Sequence, residues 1–280
     1  MSLSDTTVPA IKLRDEEQIP QLGFGTWQVP PQDTADVVTR ALLTGYRHVD
    51  TAAAYRNEAG VGQAIHAAGL QREDVYITTK LWNGDHGYDQ AKRALRASLD
   101  RLEMPHVDLY LIHWPVPSTD KYVETWKALI ELQQEGLTRS IGVSNFQQPH
   151  LERLVAETGV TPAVNQIELH PFLQQAGLRR AHADLGIATE GWSPLAQGKV
   201  AADPTIKEIA DAHGVSSGQV AIRWQLQLDC IVFPKSVTTS RIEENFDVFG
   251  FHLTDDEMAT IEALDAGVRT GPDPDTFVAP

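Results

Sequence analysis

The feature that most constrains this chain is an alternation repeated eight times: a short apolar run followed by a longer segment whose apolar residues recur three or four apart. The first four rounds pair Leu22 to Gly25 with Asp33 to Thr44, His48 to Asp50 with Glu58 to Ala68, Val75 to Lys80 with Tyr88 to Leu102, and Val107 to His113 with Tyr122 to Glu135. Ser140 to Ser144 with Gln148 to Thr158 and Ala163 to Ile167 with Gln174 to Leu185 come next. Ile187 to Trp192 is followed by two helical stretches, Pro204 to His213 and Ser216 to Leu228, and Cys230 to Pro234 by Arg241 to Val248. Runs such as Asp108-Leu109-Tyr110-Leu111-Ile112 are nearly continuous rather than alternating, as parallel strands covered on both faces are. The longer segments carry the helical period, as in Ala91, Leu95, Ser98, Leu99 and Leu102. Glycines 45, 69, 136, 159, 186 and 214 stand where a left-handed residue would stop a helix. Eight βα units predict a closed (β/α)8 barrel of the α/β class, and 280 residues suit one such domain over 1–280.

Two additions frame the barrel. Val8 to Ile19 reads as a small hairpin that lids or plugs the fold. Thr254 to Leu264 reads as one extra helix, opened by Thr254 and Glu257 at capping-box spacing, before the loop GPDPDTFVAP.

A barrel of this kind keeps its chemistry at the carboxyl ends of the strands, so the residues that close the apolar runs are the informative ones. Asp50 ends the second run, Lys80 the third, His113 the fourth, and Ser144 with Asn145 the fifth. Gln166 lies near the end of the sixth, Trp192 ends the seventh and Lys235 follows the eighth. Each alone has an ordinary explanation, such as a lysine snorkelling out of a strand. Stability gives no reason for an acid, an ammonium and an imidazole to share one layer of consecutive strands. Tyr55 follows Asp50 by five residues on the next connection. A tyrosine is a poor proton donor near neutrality, but an adjacent Lys80 ammonium would stabilise its phenolate and lower its pKa. Asp50 would keep Lys80 charged, and His113 would donate to the same substrate oxygen. The set suits proton delivery to a carbonyl oxygen whose carbon receives hydride, which a nicotinamide cofactor would have to supply.

Neither Gly23-Phe24-Gly25 nor Gly60-Val61-Gly62 makes a dinucleotide fingerprint. Lys235, Ser236, Thr238 and Arg241 instead follow the eighth strand at the entrance to a helix, where barrels gather phosphate. In a chain of net charge -15, Lys235 with Arg241 suits the 2'-phosphate of NADPH rather than NADH. The same acidity argues against nucleic acid as a partner. No apolar run reaches the length of a membrane span, the first residues lack the pattern of a secretory signal, and a cytoplasmic monomer is expected. Cys230 is the only cysteine and the ten histidines lack tight ligand spacing, so no metal is expected.

The ordered motifs GFGTW, GYRHVDTAAAYRNE, ITTKLW, DLYLIHWP, SIGVSNF, VNQIELHP, GWSPLAQG and FPKSVTTSRIEEN make the chain resemble the aldo-keto reductase superfamily along nearly its whole length. Trp192 with the following SPLAQGK is most similar to the bacterial 2,5-diketo-D-gluconate reductase branch. The resemblance implies that Tyr55 is the general acid, tuned by Lys80 and Asp50, with His113 orienting the carbonyl. It implies that Ser144, Asn145 and Gln166 bind the nicotinamide carboxamide, that Trp192 stacks on the ring, and that Ser193 and Leu195 hold the pyrophosphate. Lys235, Ser236, Arg241, Glu244 and Asn245 would take the adenosine end, with Thr26, Val237 and Thr238 also among the cofactor contacts. Trp27, Trp82 and Trp114 would wall the substrate pocket beside His113, with Phe172 and Phe277 as weaker candidates. The expected activity is NADPH-dependent reduction of aldehydes, ketones or dicarbonyls, including keto-sugars. Two other classes compete with it: a nucleotide-binding sensor on the same barrel, and a lyase or isomerase using Lys80 as a Schiff-base nucleophile.

Overall fold

The computed structural model describes residues 7–278. Eight parallel strands follow one another in chain order: β3 (Phe24–Gly25), β4 (His48–Asp50), β5 (Tyr76–Leu81), β6 (Val107–Ile112), β7 (Thr138–Ser144), β8 (Val164–Glu168), β9 (Ala188–Trp192) and β10 (Ile231–Val232). The first and last meet. Leu22 bridges Val232 in parallel, Val232 N donates to Gln21 O at 3.0 Å, and Gly23 N donates to Val232 O at 2.9 Å, which closes the barrel. Closure leaves the eight-stranded sheet no open edge among the described residues, and burial on both faces explains the unbroken apolar runs of β5 and β6.

Helices α1 (Thr34–Thr44), α2 (Glu58–Ala67), α3 (Tyr88–Leu102), α4 (Tyr122–Gln134), α5 (Gln148–Thr158) and α6 (Ala176–Leu185) each follow a strand. Two helices, α7 (Pro204–His213) and α8 (Ser217–Gln227), separate β9 from β10, and α9 (Thr239–Phe246) and α10 (Asp255–Glu262) complete the chain. Val38, Leu42, Leu95, Leu99, Trp126 and Leu129 pack in one buried cluster with strand residues such as Ile77, Tyr110 and Val143. The glycines in α2 serve this packing: a Cβ on Gly62 would lie 2.2 Å from the Leu102 carbonyl oxygen, so α2 and α3 touch only because none is there.

Strand–helix–strand order was as expected, with ends either matching or shifted by one or two residues. Helix α6 begins at Ala176 rather than Gln174 because Gln174 is buried and donates to Pro171 O and Ile261 O, tying the loop to α10. Helix α9 starts at Thr239, two residues before the expected Arg241, and ends at Phe246 rather than Val248. Thr254 and Glu257 make the capping box expected of α10.

The amino-terminal hairpin pairs β1 (Ala10–Lys12) with β2 (Gln18–Pro20). Its Leu13 and Ile19 pack with Tyr76, Leu109, Val164 and Ile231 at the amino ends of the barrel strands. It is a plug at the end of the barrel opposite the carboxyl-terminal rim.

Candidate active site

The rim carries its polar residues at one level. Lys80 Nζ on β5 lies 2.7 Å from both carboxylate oxygens of Asp50 on β4 and donates to Thr51 O at 2.9 Å. Tyr55 sits in a short turn after β4, closed by Arg56 in the left-handed conformation at φ 58. The Lys80 ammonium is 5.2 Å from the centre of the Tyr55 ring. His113, one residue past β6, sets its ring 5.6 Å from that of Tyr55 at 74°. Asn57 fixes the intervening loop by accepting from Thr51 Oγ1 and donating to the carbonyls of Thr26 and Val29. Sequence reading missed Asn57, although it stands in the same YRNE motif.

Electrostatics separate the roles. Burial pushes the Tyr55 phenol up and outweighs the Lys80 charge that pulls it down, so its pKa is raised, not lowered as the sequence led us to expect. For Lys80, burial pushes down, but Asp50 and Tyr55 push up more strongly and the ammonium is held above its ordinary value. Burial, and then Lys80, drive His113 well below the ordinary histidine value, so its ring is neutral. Lys80 has no exposed surface, unlike a lysine presented to a substrate carbonyl, so the geometry does not favour Schiff-base chemistry.

The next four strands are stitched together at the same level. Ser144 Oγ donates to Gln166 O at 2.9 Å, Asn145 Nδ2 to His113 O at 3.0 Å, and Trp192 Nε1 to Asn145 Oδ1 at 2.9 Å. Gln166 Nε2 donates to Asp50 Oδ1 and to Glu190 Oε2, both at 2.8 Å. Glu190, fully buried, was not foreseen. An acid in the apolar run ATEGW, two residues before Trp192 and so on the same strand face, was the available signal.

Asp50 and Tyr55, with residues of the following strands, border a cleft of about 1210 Å³, and Lys80 and Glu190 lie behind its lining. Trp27, Trp82, Trp114 and Phe277 wall it, with Phe277 packed 4.4 Å from Trp114 between ring centres. Tyr55, His113, Ser144, Asn145, Gln166, Trp192, Ser193, Leu195, Lys235 and Arg241 also line it. Lys235 and Arg241 make no ion pair among the described residues, although the chain carries 38 acids against 23 bases. Ser193, Ala196 and Gln197 all take positive φ, and within this loop Ala196 N donates to Ser193 O and Gly198 N to Leu195 O, each at 2.9 Å.

Some expected contacts lie off this surface. Thr26 is buried and its hydroxyl donates to Asp50 O at 3.0 Å, so it braces the rim from behind. Ser236, Val237 and Thr238 precede α9, and Glu244 and Asn245 lie in its last turn, all outside the residues that line the cleft; the Ser236 hydroxyl accepts from Thr238 N at 3.0 Å. Phe172 does not reach the cleft. It packs near the α7–α8 cluster, and its carbonyl accepts from Ala266 N and Val268 N.

Residues 268–278 approach the cleft along β8. Glu168 at its end accepts from Thr270 N and Thr270 Oγ1, each at 2.6 Å, and from Gly271 N at 3.2 Å. Burial raises the Glu168 pKa, but bonds from His170 and Thr270 lower it further, for a net depression. Gly271 passes so close to Trp192 that a Cβ would lie 2.4 Å from the indole. Glu168 was not foreseen either.

Comparison with known proteins bears on this arrangement. Residues 21–266 match the model of the aldo/keto reductase family. Among curated relatives, an aldo-keto reductase of Mycobacterium sp. (strain KMS) is 55% identical over 269 residues, covering 96% of this chain and 98% of that protein. Methylglyoxal reductase DkgA of Escherichia coli (strain K12) is 54% identical, over 95% of this chain and 97% of its own. The solved structure of Gox0644 in its apo form superposes with a TM-score of 0.94 at 49% identity, covering 98% of this chain and 100% of that one. A variant of Gox0644 has been solved in complex with NADPH. This chain belongs to the aldo/keto reductase family. Among its described residues, no helix is long and apolar enough to cross a membrane.

Proposed function

We propose that this aldo-keto reductase uses NADPH to reduce aldehydes, ketones and small dicarbonyls to alcohols, with Tyr55 delivering the proton to the carbonyl oxygen. The supporting observation is the placement of Tyr55 against the buried Lys80–Asp50 pair and the His113 ring on one wall of an aromatic cleft.

The cleft suits the cofactor by its own chemistry. Lys235 and Arg241, which make no ion pair among the described residues, would hold phosphate, Arg241 the 2'-phosphate, while Ser193 and Leu195 would border the pyrophosphate. Trp192 would stack on the nicotinamide and Gln166, Ser144 and Asn145 face its carboxamide; Ser236, Thr238, Glu244 and Asn245 would surround the adenosine. When bound, NADPH supplies the hydride that no side chain here can give.

The protein's share is placement and proton control. Tyr55 and the neutral His113 ring receive the carbonyl oxygen between them, and His113 donates without adding a charge. A raised pKa keeps the Tyr55 proton in place until the oxygen gains negative charge. Lys80 then offsets the phenolate left behind, and Asp50 holds Lys80 charged without touching substrate. Aromatic walls favour compact carbonyls, consistent with a relative named for methylglyoxal reduction. We place the enzyme in the cytoplasm as a monomer, in keeping with its net charge of -15, and sedimentation would test that state.

The direct test follows NADPH and NADH oxidation with a panel of aldehydes, dicarbonyls and keto-sugars. Turnover strongest with NADPH and small dicarbonyls is expected. Cofactor binding with no turnover of any member would defeat the reading and favour a nucleotide-binding sensor.

A further inference from the structure

Glu190 lies on β9 at the level of the Asp50–Lys80 pair, is wholly buried, and has no part in the chemistry above. It connects to that level through one atom. Gln166 Nε2 is 2.8 Å from Glu190 Oε2 and 2.8 Å from Asp50 Oδ1. An amide NH2 has two protons, and these two acceptors use both. Turned over, the amide would present its oxygen to Asp50, the counter-ion of Lys80, and lose the bond to that carboxylate.

The outcome is a fixed acceptor. Gln166 Oε1 takes part in no hydrogen bond among the described residues, and Gln166 lines the cleft. Its neighbours are engaged otherwise: Ser144 Oγ donates to Gln166 O, and Asn145 Nδ2 donates to His113 O and Ser144 Oγ. Gln166 Oε1 is therefore the acceptor at this level left open to a ligand N–H.

We propose that Glu190 is a positioning residue for the nicotinamide: with Asp50 it fixes the Gln166 amide so that Oε1 faces the cleft and accepts from the carboxamide NH2 of the cofactor. This rests on the reading of Gln166 as a carboxamide contact given above. Glu190 itself never touches the cofactor. Asp50 from β4, Tyr76 and Lys80 from β5 and Gln166 from β8 face it, and burial together with Asp50 raises its carboxyl pKa to about 8. At neutral pH it is thus an uncharged acceptor, and a glutamine can take its place.

Equilibrium binding, read by quenching of tryptophan fluorescence, distinguishes the possibilities when NADP+ is compared with its 3-acetylpyridine analogue. In the analogue a methyl ketone replaces the carboxamide and leaves no NH2 to donate. Wild type should bind NADP+ roughly 5- to 10-fold more tightly than the analogue, and Gln166→Ala should erase that preference. Glu190→Leu and Glu190→Ala, which bracket the size of the replacement, should each weaken NADP+ by roughly 5- to 10-fold and change the analogue by less than about 2-fold. Glu190→Gln, whose amide oxygen can accept from Gln166, should restore the wild-type preference. Equal losses for both ligands in the truncations, or no rescue by glutamine, would overturn the role of Glu190 while the Gln166 contact stood. A wild type without preference, unmoved by Gln166→Ala, would overturn the Gln166 contact and the Glu190 proposal with it.

Discussion

Lys80 meets both oxygens of Asp50 at 2.7 Å and exposes none of its surface, so its buried charge leans chiefly on that carboxylate. Removing the cation strands the anion. Lys80→Met should lower stability by about 3–5 kcal/mol, because a buried carboxylate is left without its partner. The midpoint of urea denaturation measures this, and a shift worth less than about 1 kcal/mol would show that Asp50 finds another partner.

Tyr55→Phe deletes one oxygen and keeps the ring against His113. Carbonyl reduction should fall by about 10²- to 10⁴-fold, the usual worth of a positioned proton donor, while NADPH affinity stays within about 2-fold. Single-turnover NADPH oxidation and fluorescence titration read the two quantities separately. Retained turnover would mean that another group donates.

Arg241 borders the cleft without an ion-pair partner among the described residues. Arg241→Ala should weaken NADPH by about 10-fold or more and leave NADH nearly unchanged, since only NADPH carries the 2'-phosphate. Dissociation constants for the two cofactors decide it, and parallel losses would remove the proposed contact.

Glu190 predicts a pH dependence of stability. Its carboxyl rises from 4.5 to about 8 on folding, so between those values the unfolded chain is ionised there and the folded chain is not. The folded state holds the extra proton, so stability from this group is fully present below pH 4.5, is lost as pH rises, and levels off above about 8. Buried His48, His86 and His182, lowered to about 3, 4 and 4, act in the opposite direction below 6.5 and are common to wild type and variant. Glu190→Gln should therefore gain on wild type across this window by up to about 1.4 kcal/mol per pH unit. Paired thermal melts at its two ends give the comparison, and a constant difference would place the titration elsewhere.

Glu168 predicts a change in substrate handling. Glu168→Ala removes the acceptor of Thr270 N, Thr270 Oγ1 and Gly271 N. Hydrogen exchange at Thr270 and Gly271 should accelerate by about 10-fold or more, and the carbonyl KM should rise more than kcat falls. Unchanged exchange would show that the tail is held by its rings alone.

Much of this arrangement is written locally. Asp50, Lys80 and His113 could be found because each sits at or beside the carboxyl end of its strand, and barrel geometry brings such ends together. The hairpin and the α10 capping box were equally readable from neighbouring residues. Long-range partners were not. Asp50 and Gln166 lie 116 positions apart, and no pattern in either strand announces that one amide bridges Asp50 to Glu190. The direction of the Tyr55 shift was missed for a related reason: proximity to Lys80 can be read from strand ends, whereas the degree of burial that outweighs it depends on everything packed above. Thr26 and Phe172 were also expected in the site but lie outside the cleft lining, Thr26 bonded to Asp50 O and Phe172 packed against the α7–α8 cluster.

The tail reaches the cleft through a carboxylate clasp at Glu168 and through the rings around Phe277, whereas the proposed proton-handling residues hang from the barrel strands and the turns that follow them. Heredity can therefore edit the two separately. Replacement of residues 272–278 would redraw which carbonyl compounds are admitted while the acid–base apparatus passed unaltered from ancestor to descendant, so that new preferences could arise from a stretch of seven codons.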